Sequence, residues 1–170
     1  MELTYDEVGA TRPDAGGLPA GYRHVHRETH LGHGQAVFTA AVSGLRSWRM
    51  QREAGLAVRA SAAAVETGAD ITTGFGAGPL RLWAPGRVVW VIDSVTRFGY
   101  GLGTLPGHPE RGEEGFLITL GTGGEVQFGV SSFSRPAVWY LRLGGPAGHA
   151  VQDLIVGRYL RAMRRLTGTA

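Results

Sequence analysis

The chain contains neither cysteine nor lysine among its 170 residues. Without cysteine there can be no disulfide, no thiolate nucleophile and no zinc motif built on thiolates. That absence also fits a reducing compartment. Without lysine there is no P-loop lysine and no Schiff base through a side-chain amine. All 17 basic residues are therefore arginine, and against 14 acids they leave a net charge of only +3. Together with the abundant glycine and alanine, an all-arginine basic set matches the composition of a GC-rich bacterial genome. Long apolar runs are missing too. Val88 to Ile92 falls far short of the ~20 residues a membrane span needs. Met1 to Arg12 holds three acids, one arginine and no apolar run, so it reads as neither signal nor transit peptide. The expected location is the cytoplasm.

The remaining pattern is that of one α+β domain, 1–170, with an irregular Gly/Pro-rich lead-in over 1–20. Gly21 to Leu31 alternates as a strand. Val37, Phe38, Ala41, Val42, Leu45 and Trp48 form one helical stripe, predicting a helix near 35–50. From Gly55 to Phe133 short alternating segments and tight turns predict about six to eight antiparallel strands in a curved sheet. Arg87 to Val95 is the most apolar of them. Phe98, Tyr100, Leu102 and Thr104 share one face of the next, opposite a row of glycines that would admit close approach of another element. Gly121-Thr-Gly-Gly124 signals a hairpin. A helical tail is expected from Ser134 as cap and Pro136 in the first turn, broken at Gly144-Gly145-Pro146. Beyond the break Val151, Leu154, Ile155, Tyr159, Ala162, Met163 and Leu166 make a long amphipathic stripe. A curved sheet needs its concave face filled, and this last helix is the available element.

Few constellations carry chemistry. His24, His26 and His30 share a strand face with Glu28 between them and His33 nearby, but no partner carboxylate stands at a metal-ligand spacing, and no metal is expected. Gly74-x-Gly76-x-Gly78 and Gly99-x-Gly101-x-Gly103 lead into strands, not the helix a dinucleotide site requires; no cofactor is expected. The segment Thr104 to Glu114 is densely polar. His108 with Glu110, Glu113 or Glu114 is a candidate acid/base pair, beside the plainer reading of a rigid connection. No nucleophile elbow surrounds Ser131, Ser132 or Ser134, which are poor nucleophile candidates. Arg158, Arg161, Arg164 and Arg165 complement the dipole of the last helix. Lacking interleaved aromatics or a DNA-binding motif, they do not predict nucleic-acid binding, although they leave peripheral contact with anionic lipid open.

Thr4 to Thr11, Leu18-Pro-Ala-Gly-Tyr22, Gly103 to Glu114, Phe133-Ser-Arg-Pro136 and Gly145-Pro146 ahead of a helix with Gln152 and Tyr159 resemble the family called domain of unknown function 1990. The resemblance spans nearly the whole chain. It implies plant and bacterial relatives and no particular reaction; His26 and His30 lie outside the family pattern. The element order is also distantly similar to START-related helix-grip proteins, which wrap a sheet around a C-terminal helix and often hold apolar ligands. That similarity implies a small apolar partner between sheet and helix. Trp90, Tyr100, Phe116, Phe128 and Tyr159 are the expected apolar wall. Thr104, His108, Glu113 and Arg135 are the expected polar groups near the mouth. The alternatives are an enzyme using His108 with Glu113 or Glu114, and a filled interaction protein, for instance a homo-oligomer.

Overall fold

The computed structural model describes residues 1–137 and 146–169. Seven strands form one antiparallel sheet: β1 (Arg23–His33), β2 (Ala57–Ala60), β3 (Asp70–Phe75), β4 (Leu82–Asp93), β5 (Arg97–Thr104), β6 (Glu110–Leu120) and β7 (Glu125–Pro136). Their order is β1-β7-β6-β5-β4-β3-β2. Between β1 and β2 lie α1 (Gln35–Arg46) and α2 (Arg49–Glu53); α3 (Pro146–Leu166) closes the chain. From β2 to β7 each strand pairs with the next along the chain, so local turns set most of the sheet, and only β1 reaches across to β7.

Three sequence expectations need correction. The early helix is broken at Trp48, which takes the left-handed conformation at φ 60°. That strained geometry for a bulky residue is held by burial and by the indole N–H, which donates to Ala62 O at 3.0 Å. The stretch Leu80 to Trp83 and the apolar run from Arg87 are not separate: residues 82–93 form one strand. Pro85 is tolerated within it because it lies beyond Gly86, where the ladder to β5 ends. Finally, Ser134 and Pro136 do not begin a helix. They belong to β7, where Ser134 pairs with Arg23 and Gly112, and Pro136 sits at the strand's last position. Pro146 does open α3, a position that suits a residue with no N–H. The expected break at Gly144 and Gly145, and any helix before it, fall outside the described residues.

The sheet's inner face is read in rows across β5, β6 and β7. Phe98, Ile118 and Phe128 form one row, Tyr100, Phe116 and Val130 the next, then Leu102, Glu114 and Ser132. The first two rows are fully buried and are filled by rings. Trp48 packs edge-on to Tyr100 at 5.7 Å, and Phe116 meets Tyr100 at 5.1 Å and Tyr159 of α3 at 5.5 Å. Helices α1 and α3 cover this half, with Ala41, Leu45, Ala162 and Met163 inaccessible. The third row changes to an acid and a hydroxyl, and there the packing opens.

The outer face is bare at Gly99, Gly101, Gly103 and Gly115, and that bareness is used. A Cβ at Gly101 would stand 2.1 Å from Trp90 Nε1, and one at Gly103 would stand 2.4 Å from Tyr5 Oη. The N-terminal segment therefore lies against this face, as the glycine row allowed.

Candidate functional site

A cavity of about 350 Å³ occupies the open half of the grip, between the sheet's inner face and the first turns of α3. Leu56, Ile71, Phe75, Leu102 and Ile155 supply most of its apolar wall. It reaches the surface beside Leu82 and Val151, which line it and are also exposed. Such a volume with few polar groups is typical of a small-molecule pocket.

Its polar groups come from several strands, one loop and α3, with Thr73 on β3. Thr104 ends β5, His108 lies in the following loop, Glu114 faces inward from β6, Ser132 and Ser134 from β7, and Gln152 and Tyr159 from α3. Several are occupied structurally. Thr104 Oγ1 accepts from Gly112 N at 3.0 Å and lies 2.6 Å from Thr4 Oγ1. Gln152 Nε2 donates to Ser134 Oγ at 3.2 Å, while its carbonyl accepts from Arg23, whose other arm pairs with Asp153 at 2.9 Å. These contacts pin α3 to β1 and β7 at the cavity's end. His108 Nδ1 lies 3.0 Å from both the N–H and the C=O of Glu110. Burial lowers the pKa of this imidazole to about 4, so it is neutral at pH 7.

Glu114 differs from all of these. Among the described residues it has no hydrogen-bond partner, and its strand neighbours are Leu102 and Ser132. Burial, then the nearby charge of Glu110, raises its pKa to about 8 from an ordinary 4.5. The folded chain thus keeps this proton in a range where the unfolded chain has lost it. Stability contributed by Glu114 is complete below pH 4.5 and is lost as pH rises through about 8, with a slope of up to about 1.4 kcal/mol per pH unit in between. Urea unfolding at pH 5, 6.5 and 8 should show Glu114→Gln gaining on the wild type as pH rises. Parallel curves would show an acid that titrates normally.

Trp90, Glu113 and Arg135 are not where sequence reasoning put them. A bulge between Val88 and Trp90 shifts the register, so that Val88 faces Leu102 inside while Trp90 faces Gly101 outside. Glu113 touches the cavity wall only along its strand, because its carboxylate points to the outer face. There Oε2 accepts from Tyr5 Oη (2.7 Å) and Gly9 N (2.7 Å). Oε1 accepts from Thr11 N (3.0 Å), Thr11 Oγ1 and Trp90 Nε1 (3.0 Å). This charge, with no cation paired to it among the described residues, raises the pKa of the Tyr5 phenol, second only to burial itself. Arg135 lies over the Tyr22 ring at 4.9 Å, beside the same N-terminal segment. Tyr100, Phe116 and Phe128 are on the expected face but belong to the closed core. Of the expected wall, Tyr159 lines the cavity, and Thr104, His108 and Glu114 join it. Ser132 was passed over, although a hydroxyl continuing the alternation of Val126, Phe128 and Val130 marks where an apolar face turns polar.

The histidine strand is an exposed edge. His24 Nε2 lies 2.8 Å from Pro19 O, and His26 bridges Ser131 Oγ and Glu28. Among the described residues no group of three or more candidate ligands could hold a metal ion.

A curved antiparallel sheet closed by a C-terminal helix over a cavity is the START-like helix-grip fold, also that of the Bet v 1-like proteins. Solved structures with this arrangement include hypothetical protein jhp0584 from Helicobacter pylori, with TM-score 0.66 at 9% identity, covering 85% of this chain and 88% of that one. Ara h 8.0201 aligns with TM-score 0.57 at 12% identity over 88% and 100% of the two chains. Ginseng major latex-like protein 151 from Panax ginseng aligns with TM-score 0.53 at 12% identity over 85% and 96%. At such identities these likenesses establish the fold. Within it, the chain belongs to the family described as Domain of unknown function (DUF1990), which it matches over residues 4–162. The UPF0548 protein of Deinococcus radiodurans is 32% identical over 163 residues, spanning 90% of this chain and 82% of that one. The UPF0548 protein of Arabidopsis thaliana is 46% identical over 68 residues, spanning 36% of this chain and 33% of its own.

No helix among the described residues is long and apolar enough to cross a membrane.

Proposed function

We propose that this chain acts, as one domain, as a binding module that holds a small, largely apolar molecule between the sheet and α3. The observation that carries this reading is the cavity of about 350 Å³, walled by Leu56, Ile71, Phe75, Leu102 and Ile155 beside a core already closed by its own rings. A chain that needed only a filled core would have extended the aromatic rows one step further. Instead the third row carries Glu114 and Ser132, which cost stability unless something uses them. The helix-grip likeness supports the same reading. An enzyme acting on such a guest would draw on His108 and Glu114; no hydrogen bond joins the two, and the binding role needs no more than the geometry present.

The test is to purify the protein natively from its own host, denature it, and analyse the extract by mass spectrometry. A small apolar molecule in near one-to-one ratio is expected from the wild type. Ile155→Trp, which fills the cavity from α3 while leaving the sheet intact, should release it and keep the wild-type circular dichroism. An extract free of any stoichiometric compound would overturn constitutive binding.

A further inference from the structure

Three O–H groups in the cavity have no hydrogen-bond partner among the described residues, and they belong together. Ser132 Oγ is buried and unpaired. Ser132 is the direct cross-strand neighbour of Glu114 on the inner face, which puts their Cβ atoms roughly 5 Å apart. The Tyr159 hydroxyl, on α3 across the cavity, makes no hydrogen bond either, and its ring is held edge-on against Phe116. Ser132 Oγ is thus a buried donor left unsatisfied, and the hydroxyl of Tyr159, a residue only 5% exposed, lines the same cavity. Among the described residues the lining contains no arginine, and the histidine it does contain, His108, is neutral at pH 7.

We infer that Glu114, Ser132 and Tyr159 form a donor site for one uncharged acceptor oxygen, a ketone, aldehyde or ester carbonyl, carried by an otherwise apolar ligand. This rests on the binding-module reading and names its ligand class. The chemistry favours a neutral acceptor over the charged alternatives. A carboxylate would meet the carboxyl of Glu114, and no described residue of the lining offers it a cation. An ammonium group would have to be desolvated and would force Glu114 to ionise in an apolar enclosure, while the phenol of Tyr159 would offer it only a weak acceptor. A carboxylic acid kept neutral in an apolar site is instead a strong donor to a carbonyl.

The titratable groups around Glu114 agree with that state. Glu110 shares its strand and opposes its ionisation. Tyr100 on β5 and Tyr159 on α3 both stay protonated, since burial and the Glu114 charge each raise their pKa. Neutral His108 lines the same cavity from the loop, and β7 presents only Ser132 and Ser134. At pH 6.5 Glu114 therefore carries its proton, and at pH 9 most molecules have lost it.

Calorimetric titration with four probes sharing one chain length separates the cases: dodecane, 2-dodecanone, dodecanoate and dodecylamine. At pH 6.5 the ketone should bind about tenfold or more tightly than the alkane, with dodecanoate weakest. Glu114→Ala should bind ketone and alkane alike. Glu114→Gln keeps an N–H donor that does not titrate, so it should retain the ketone preference at pH 9, where the wild type loses it. Equal wild-type affinity for ketone and alkane would overturn the donor site and leave the binding module standing. Tightest binding of dodecylamine or dodecanoate would overturn it in favour of a charged ligand. Failure of all four to bind would remove the binding reading itself.

Discussion

Glu113→Ala should lower stability by about 3–5 kcal/mol, the range expected when one partner of a buried charged network is deleted. Its carboxylate is the common acceptor for Tyr5, Gly9, Thr11 and Trp90. Removing it would leave two backbone N–H groups, a phenol, a hydroxyl and an indole N–H facing a dry void. Hydrogen bonds to a charged acceptor are the stronger kind, each worth roughly 1.5–3 kcal/mol, and an orphaned buried donor costs its full desolvation. The loss should also have a place. Tyr5, Gly9 and Thr11 hold to the sheet through this carboxylate, whereas Thr4 is tied separately to Thr104, so limited proteolysis should cut around residues 5–12 in the variant and spare the wild type. Glu113→Gln keeps one acceptor oxygen but turns an NH₂ toward donors, and should fall between the two. Chemical denaturation decides the matter: a midpoint for Glu113→Ala within error of wild type would mean the N-terminal segment is held by apolar contact alone.

Gly112→Ala is expected to be as damaging, for a steric reason. Gly112 has φ 145° and sits where β6 meets β7; a Cβ there would lie 1.9 Å from Phe133 O and 3.0 Å from Ser134 Cα. The obstacles are backbone atoms of a paired strand and cannot swing aside, so the ladder itself must part. A cost of about 4 kcal/mol or more puts this among the largest single-residue effects. That would show as loss of soluble protein or a collapsed urea midpoint. Gly157→Ala, in the middle of α3 where its Cβ would meet only Arg161 Nη1 at an ordinary 3.7 Å, should move the other way, gaining up to about 1 kcal/mol from helix propensity. If both variants unfolded at the wild-type midpoint, neither the clash nor the propensity argument would hold.

The two variants mark how much of the site could be read from the chain. Glu114 was assignable to the inner face because it alternates with Phe116 and Ile118, and the same parity sends Glu113 outward. Weighing the two acids as equivalent partners for His108 ignored that parity. Trp90 is a different kind of miss. Its alternation with Val88 and Ile92 is sound, and only the bulge between Val88 and Trp90 overrides it. A bulge is a property of a strand pair, so a single strand's pattern does not contain it. Tyr100, Phe116 and Phe128 were placed on the correct face, but a periodicity cannot tell a wall from a plug. Whether a ring lines a space or fills it depends on which rings α1, α2 and α3 bring to the same row.

By itself, then, the sequence determined the quantities that are local: the element order, the antiparallel hairpins from β2 to β7, the inward parity of Phe98, Tyr100 and Phe116, and the bare glycine face of β5. Turn chemistry and side-chain period act within a few residues, and they survive into the fold unchanged. Tertiary structure alone decided the rest, because those outcomes depend on partners distant in the chain. It set Trp90 outside, gave the bareness of β5 to Tyr5 and Thr11, and extended β7 through Ser134 to Pro136 because β1 and β6 offered it hydrogen bonds. It also left Glu114, Ser132 and Tyr159 facing one another across a space that no side chain of the described protein fills.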